Sequence, residues 1–501
     1  MNDVAKTAIF VGVAVVLCAA AYLFSPAPPK VAYFDDQGEP FYADFTDPLE
    51  AASLEVIDFD EESGSARPFK VEVKDGVWSI PSHYNYAADG EDRLAKTAAG
   101  VIDLKKDVAQ SDRVQDHEAF GVIDPLDGTT PTLKGRGSRV TLRNATEAVL
   151  AEFIVGKPVE GKDGFRFVRL PVKKRTYAVK MDVDLSTRFA DWIETNLLKL
   201  TSSDIAEVEI NDYTIDEAAG TMDMGDRIML AKDTGNKWTM DGMEPSRELD
   251  ESKANEMASA LSGITITGVR PKPETLSRDL RTKAGLKLDP ISQMTLQSKG
   301  FFVSRDGRLL SNEGEVRIGT KKGVRYTLRF GEVLFGDGLD VSAGAEPSRD
   351  PEGANDPSRD REGADKPRTS GAENRYLFVT AGFDETLLGS KPTPPQNYKP
   401  AANDDAEPTG DAPSSEEPTP TTQPTSAPAE TEQEAETKAA AEKYEKEFKG
   451  WQEKVEQGHA LAQELNDRFA PWYYVISAAD FQNIRLDREK LIKKESESDD
   501  D

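Results

Sequence analysis

Leu94, Ala98 and Val101 recur at spacings of four and three, and Ala254, Met257, Ala258 and Leu261 repeat the pattern further along the chain. Apolar residues spaced this way fall on one face of a helix, so two amphipathic helices are predicted, the second with Asp250 as its N-cap. Between them the period changes to two. FKVEV (69–73) and FRFVRL (165–170) alternate apolar and polar residues, as a strand does when one sheet face is solvated. RVTL (139–142), TYAVKMDV (176–183), RIML (227–230) and RYLFVT (375–380) also read as strands. The predicted fold class is α+β, with largely antiparallel sheets and packed helices.

A third helical pattern is longer. Residues 431–469 are rich in Ala, Glu, Lys and Gln, all good helix formers. Tyr444, Phe448, Trp451, Val455, Gly458, Ala462, Leu465 and Phe469 form one heptad-like stripe along this segment. Such a stripe either packs on its own lobe or offers a partner-binding face, for which Tyr444, Phe448, Trp451 and Val455 are the candidates.

The pattern occurs twice. LEVIDFD (54–60) corresponds to VEINDY (208–213), DGVWSI (75–80) to GNKWTM (235–240), FGVIDP (120–125) to GLKLDP (285–290), and AVLAEFIVG (148–156) to GVRYTLRFG (323–331). RFADWI (188–193) returns as RFAPWY (468–473). These landmarks predict two tandem repeated lobes, 54–205 and 206–492, with Trp78, Trp192, Trp238 and Trp472 as repeat-related core anchors. QNIRLD (482–487) reads as a closing strand over a bare sheet edge.

Two stretches interrupt the second lobe, at about 345–374 and 392–430. Both are Pro-rich, and neither has enough apolar surface to offset its ordering entropy, so they are expected to be disordered insertions. Residues 493–501 are an acidic tail. At the other end, residues 7–25 carry no charge, enough as a helix to cross a bilayer. This predicts a transmembrane helix after a cytoplasmic N-terminus (1–6), then a stalk and lead-in (26–53). The expected localisation is the inner cell membrane, single-pass, with the body facing the periplasm or exterior.

A net charge of −29 makes nucleic acid an unsuitable partner, because binding to phosphates relies on Lys and Arg. The one cysteine, Cys18, leaves the body without disulfides or a thiol nucleophile. Three histidines, His83, His117 and His459, are spread along the chain without metal-ligand spacing. His83, among the tyrosines of SHYNY, is the closest to a candidate base, with an edge-covering aromatic turn as the competing reading. DFDEESG (58–64) lacks the Gly and Glu positions of a calcium loop, and GRGSR (135–139) lacks a Walker-type Lys-Ser/Thr. No catalytic residue, cofactor site or metal site is assigned.

VWSIPSHYNYAAD (77–89), the helix after it, the GxxLDP-like turn and the FADW segment together resemble the bacterial domain of unknown function 4340 family. The resemblance implies a single-span, envelope-exposed protein associated with ABC-type transporter components, and it supplies no catalytic residues. The expected function is a membrane-anchored, non-enzymatic accessory or scaffold whose partner is an ABC-type permease. The alternatives are a peptide- or glycan-binding module with an inter-lobe groove, and a hydrolase with an unrecognised site.

Overall fold

The computed structural model describes residues 11–17, 36–344, 372–398 and 432–493, apart from positions 195, 217–218, 283–284, 337 and 397. Two compact units divide between Thr187 and Arg188. FADW therefore belongs with the second unit, ahead of the predicted boundary at 205.

The first unit is built on β1 (Ala51–Asp60), β2 (Ser65–Lys74), β3 (Val77–Ile80), β4 (Tyr86–Ala87), β5 (Ala109–Ser111), β6 (Ser138–Asn144), β7 (Val149–Pro158), β8 (Phe165–Arg169) and β9 (Thr176–Lys180). Their order is β4-β3-β2-β1-β6-β7-β8-β9-β5. Every pairing is antiparallel. Helix α1 (Glu91–Ile102) buries Leu94, Thr97, Ala98 and Val101.

The second unit has β10 (Ile205–Asp216), β11 (Thr221–Lys232), β12 (Trp238–Met240), β13 (Ile266–Pro271), a small pair β14 (Phe301–Val303) and β15 (Leu309–Ser311), then β16 (Glu315–Thr320), β17 (Val324–Phe335), β18 (Glu373–Phe383) and β19 (Trp472–Ser477). Its large sheet runs β12-β11-β10-β16-β17-β18-β19-β13, also antiparallel throughout. The unit also contains helices α2 (Glu251–Ser262), α3 (Glu274–Thr282), α4 (Pro290–Gln297), α5 (Glu432–Phe469) and α6 (Ala478–Ile484). Asp250 caps α2, its carboxylate accepting from the N–H groups of Ser252 and Lys253. The fold is thus α+β with large antiparallel sheets.

Apart from β4, the two sheets have the same pattern of sequential and crossover neighbours, and some registers coincide. Val56 pairs with Val140 and Phe69, as Ile210 pairs with Val316 and Ile228. Trp78 stands opposite Val73, as Trp238 stands opposite Lys232. The FIVG and LRFG landmarks end on Gly156 in β7 and Gly331 in β17, and a physical constraint accounts for both. A Cβ on Gly156 would lie 2.3 Å from the Phe120 carbonyl oxygen, and one on Gly331 would lie 2.1 Å from that of Lys299. Backbone cannot yield as a flexible side chain can. Gly156→Ala and Gly331→Ala are each expected to cost about 3 kcal/mol, read as a lowered denaturant midpoint; an unchanged midpoint in both would contradict the close approach.

One face of the second sheet buries Val208, Ile210, Val316, Ile318, Val324, Tyr326, Leu328 and Phe330. The other carries a row of charges across four strands. Arg227 Nε lies 2.7 Å from Glu209, Arg317 lies 3.5 Å from Glu209 and 2.5 Å from Glu315, and Arg329 Nε lies 3.0 Å from Glu315. Glu209 and Glu315 are only 4% and 5% exposed, so the carboxylates are shielded from water, as is Arg329, while Arg227 and Arg317 reach the surface.

Three expectations need correction. No helix among the described residues is long and apolar enough to cross a membrane, which overturns the transmembrane segment and the single-pass localisation. The described part of that apolar run is helical over 11–17; positions 7–10 and 18–25 lie outside the described residues. QNIRLD is not a closing strand. Ser477 caps a helix there by accepting from the Asp480 N–H, and β13 occupies the place beside β19. RFADW and RFAPW are not structural counterparts either, since Phe189–Trp192 form a 3-10 turn whereas Trp472 opens β19. The counterpart of β19 in the strand order is β9.

Most of the expected insertions, 345–371 and 399–430, and the tail from 494, lie outside the described residues. Glu373 and Asn374, at the end of the first expected insertion, belong to β18.

Candidate functional site

The 38 residues of α5 extend about 57 Å at 1.5 Å per residue, longer than the strands beside them. Its C-terminal third is anchored. Gly458, Ala462, Leu465, Asn466 and Phe469 are buried, and Gly458 is where the helix meets β18. A Cβ there would lie 2.6 Å from the Phe383 ring and 2.7 Å from the Lys322 carbonyl oxygen. Asn466 Nδ2 donates to the Leu280 carbonyl at 2.7 Å, tying α5 to α3.

Lys272 closes the end of the helix. Its ammonium donates to the Phe469 carbonyl at 3.0 Å and sits 3.7 Å from the centre of the Phe378 ring. A cation is favoured at a helix C-terminus, where carbonyl groups lack intrahelical partners. Burial nevertheless pushes the Lys272 pKa well below the ordinary lysine value.

Further towards its N-terminus the stripe has a different environment. Tyr444 stacks on Phe448 at 5.6 Å and Phe448 on Trp451 at 6.0 Å, with Val455 one turn beyond. The structure thus brings the four predicted residues into one row, all of them half-buried. Lys391 and Tyr398, from a stretch largely assigned to an insertion, lie across this row. The Tyr398 ring meets Tyr444 edge-on at 4.8 Å, and its hydroxyl donates to Glu445 at 3.2 Å. Lys391 Nζ stands 5.6 Å from the Phe448 ring and 5.1 Å from that of Trp451. Trp451 Nε1 is buried without a hydrogen-bond acceptor.

Alongside the anchored part of α5 runs an open groove of about 840 Å³, bordered by Arg325, Thr380, Phe383, Asp384, His459 and Asn466 among others. Its charged groups are already engaged. Arg325 lies 2.8 Å from both Glu207 and Asp384. The Thr386 hydroxyl and Arg325 hold the Asp384 carboxyl below its usual range. The His459 ring packs on Phe383 at 3.9 Å.

The other histidines have structural partners. His83 is fully buried, 3.0 Å from the Ser82 hydroxyl and edge-on to Phe69. His117 Nε2 lies 2.8 Å from the Lys174 carbonyl, and burial lowers its pKa. Among the described residues no group of three or more His, Cys, Asp or Glu could hold a metal ion.

Of the four tryptophans expected as core anchors, Trp192 and Trp238 are buried while Trp78 and Trp472 are half-buried. Trp238 Nε1 donates to Asn255 at 2.9 Å, and Lys232 covers its ring at 4.7 Å. The buried ionic groups Lys272, Glu209 and Glu315 were missed by sequence reasoning. Lys272 sits between two prolines, and nothing in the periodicity marks it as interior.

Residues 78–285 match the family model described as Domain of unknown function (DUF4340). This match begins at Trp78 in the first unit and ends just after α3 in the second, short of α5. No curated protein and no solved structure matches the chain.

Proposed function

We propose, from the premise that the chain belongs over residues 78–285 to the domain of unknown function 4340 family, that it is a non-enzymatic accessory or scaffold protein. Its docking face is the aromatic row on α5. The observation that carries this reading is the division of the stripe: Gly458 to Phe469 are committed to the chain's own sheet, whereas Tyr444, Phe448, Trp451 and Val455 lie beyond it, half-exposed although Lys391 and Tyr398 cross the row. A helix offering aromatic anchors at these spacings suits helix-in-groove recognition, and Trp and Tyr are the residues on which binding energy concentrates. An ABC-type permease is the partner that the family resemblance supplies.

The two units are copies of one duplicated module in this reading. The shared strand order and the matching registers of Val56 with Ile210, and of Trp78 with Trp238, support it.

The test is purification of the tagged full chain from its native host after cross-linking. An ABC-type permease should be recovered with it, and Phe448→Asp together with Trp451→Asp should reduce that recovery at least tenfold. Thermal unfolding should fall only slightly, because the row lies outside the anchored core. A chain recovered alone, or a permease retained undiminished by the double variant, would refute the docking face.

A further inference from the structure

Hydrogen-bond donors outnumber acceptors around Tyr473. This residue is fully buried on β19, stacked at 5.9 Å on Phe301 and edge-on to Phe378 at 5.8 Å. Its hydroxyl has no hydrogen-bond partner. Burial pushes the phenol pKa up, so the group is present as an O–H donor. Two lysines approach the same ring, with Lys272 Nζ 5.4 Å and Lys299 Nζ 5.3 Å from its centre. Arg270 is the cross-strand neighbour of Tyr473.

Nearby acceptors do not balance the donors of Tyr473 and the two lysines. Among the described residues the Phe469 carbonyl is the one hydrogen-bond acceptor for the Lys272 ammonium, and neither lysine has a carboxylate partner. Glu332 is close enough for its N–H to donate to the Lys299 carbonyl at 2.9 Å, yet its carboxylate accepts from Asn312 at 2.6 Å. Lys299 is half-buried, which leaves the cluster a route to solvent. Buried polar groups in native proteins are ordinarily satisfied, and an orphaned donor beside two lysines that have no carboxylate partner among the described residues calls for an acceptor. The setting sharpens the point, since a chain of net charge −29 has carboxylates in excess elsewhere.

We propose that Lys272, Lys299 and the Tyr473 hydroxyl form a binding site for a small oxyanion, a carboxylate or phosphate group. The aromatic rings of Tyr376, Phe378 and Tyr473 make the surroundings apolar, which strengthens each charge-assisted hydrogen bond to such a group. This site is separate from the docking row on α5, and neither proposal depends on the other.

The experiment is calorimetric titration of the full chain with inorganic phosphate and, separately, with acetate, against sodium chloride at equal ionic strength. Saturable binding near one equivalent is expected for at least one probe; the stronger identifies the group as phosphate or carboxylate. Tyr473→Phe removes only the hydroxyl and keeps the packed ring, and Lys299→Gln removes a partly exposed charge, so both variants should fold. Each should weaken binding about tenfold or more, the usual scale for a hydrogen bond to a charged group. The proposal fails if both probes give only the chloride response. It fails equally if saturable binding is unchanged in both variants, because the anion would then lie elsewhere.

Discussion

Glu315→Ala is expected to destabilise the second unit by about 3–5 kcal/mol, the range for removing one partner of a buried ion pair. Glu315 is 5% exposed and accepts from Arg329 at 3.0 Å and from Arg317 at 2.5 Å. Arg317 retains Glu209, at 3.5 Å. Arg329 keeps a bond to the Leu309 carbonyl at 2.9 Å but loses its carboxylate. Burial pushes the Arg329 pKa down and Glu315 is the largest opposing influence, so alanine leaves a desolvated guanidinium without its counter-charge. The double variant Glu315→Leu with Arg329→Leu should recover most of the loss, because it removes both charges and retains volume. Urea unfolding of Glu315→Ala and of the double variant supplies the comparison. A single variant within about 1 kcal/mol of the parent would mean that water reaches the pair and screens it.

Trp192→Ala is expected to produce a loss of similar size, about 3–5 kcal/mol, the range for deleting a large buried aromatic side chain. Trp192 is 0% exposed and ends the Phe189–Trp192 turn, where Phe189, Ile193, Leu197 and Leu198 are also buried. The hole left by an indole is too large for one turn to collapse into, so both transfer and cavity contributions are felt. Trp472→Ala should cost less, because Trp472 is half-buried at the start of β19. Comparing the two chemical unfolding midpoints separates them. Equal losses would restore the equivalence of RFADW and RFAPW that their places in the fold contradict.

Local periodicity determined a good deal by itself. The faces of α1 and α2, the Asp250 cap and the strands FKVEV, RVTL, FRFVRL and RIML follow from interactions within a few residues, and a hydrophobic spacing reports these directly. The recurrence of a Trp in β3 and β12, and of a Gly inside β7 and β17, was also visible in the sequence. In those places identity is fixed by register or by a close backbone approach, so the same residue type recurs at the same point in the strand order.

What the sequence left undecided was which surface covers which. RFADW and RFAPW read alike because each places an aromatic pair near a chain reversal, although one is a turn and the other joins a helix to a strand. The uncharged N-terminal run has the composition of a membrane span, but a span needs a long apolar helix, and none of the described helices is one. A single stripe on α5 gave no sign of dividing at Gly458, because an apolar period specifies a face to be covered and not the group that covers it. Only the tertiary structure brings Phe383 against that glycine and Tyr398 across Tyr444. It likewise gathers Lys272, Lys299 and Tyr473 from widely separated parts of the chain, since the desolvation that sets their chemistry comes from elements packed around them and leaves no imprint on neighbouring residues.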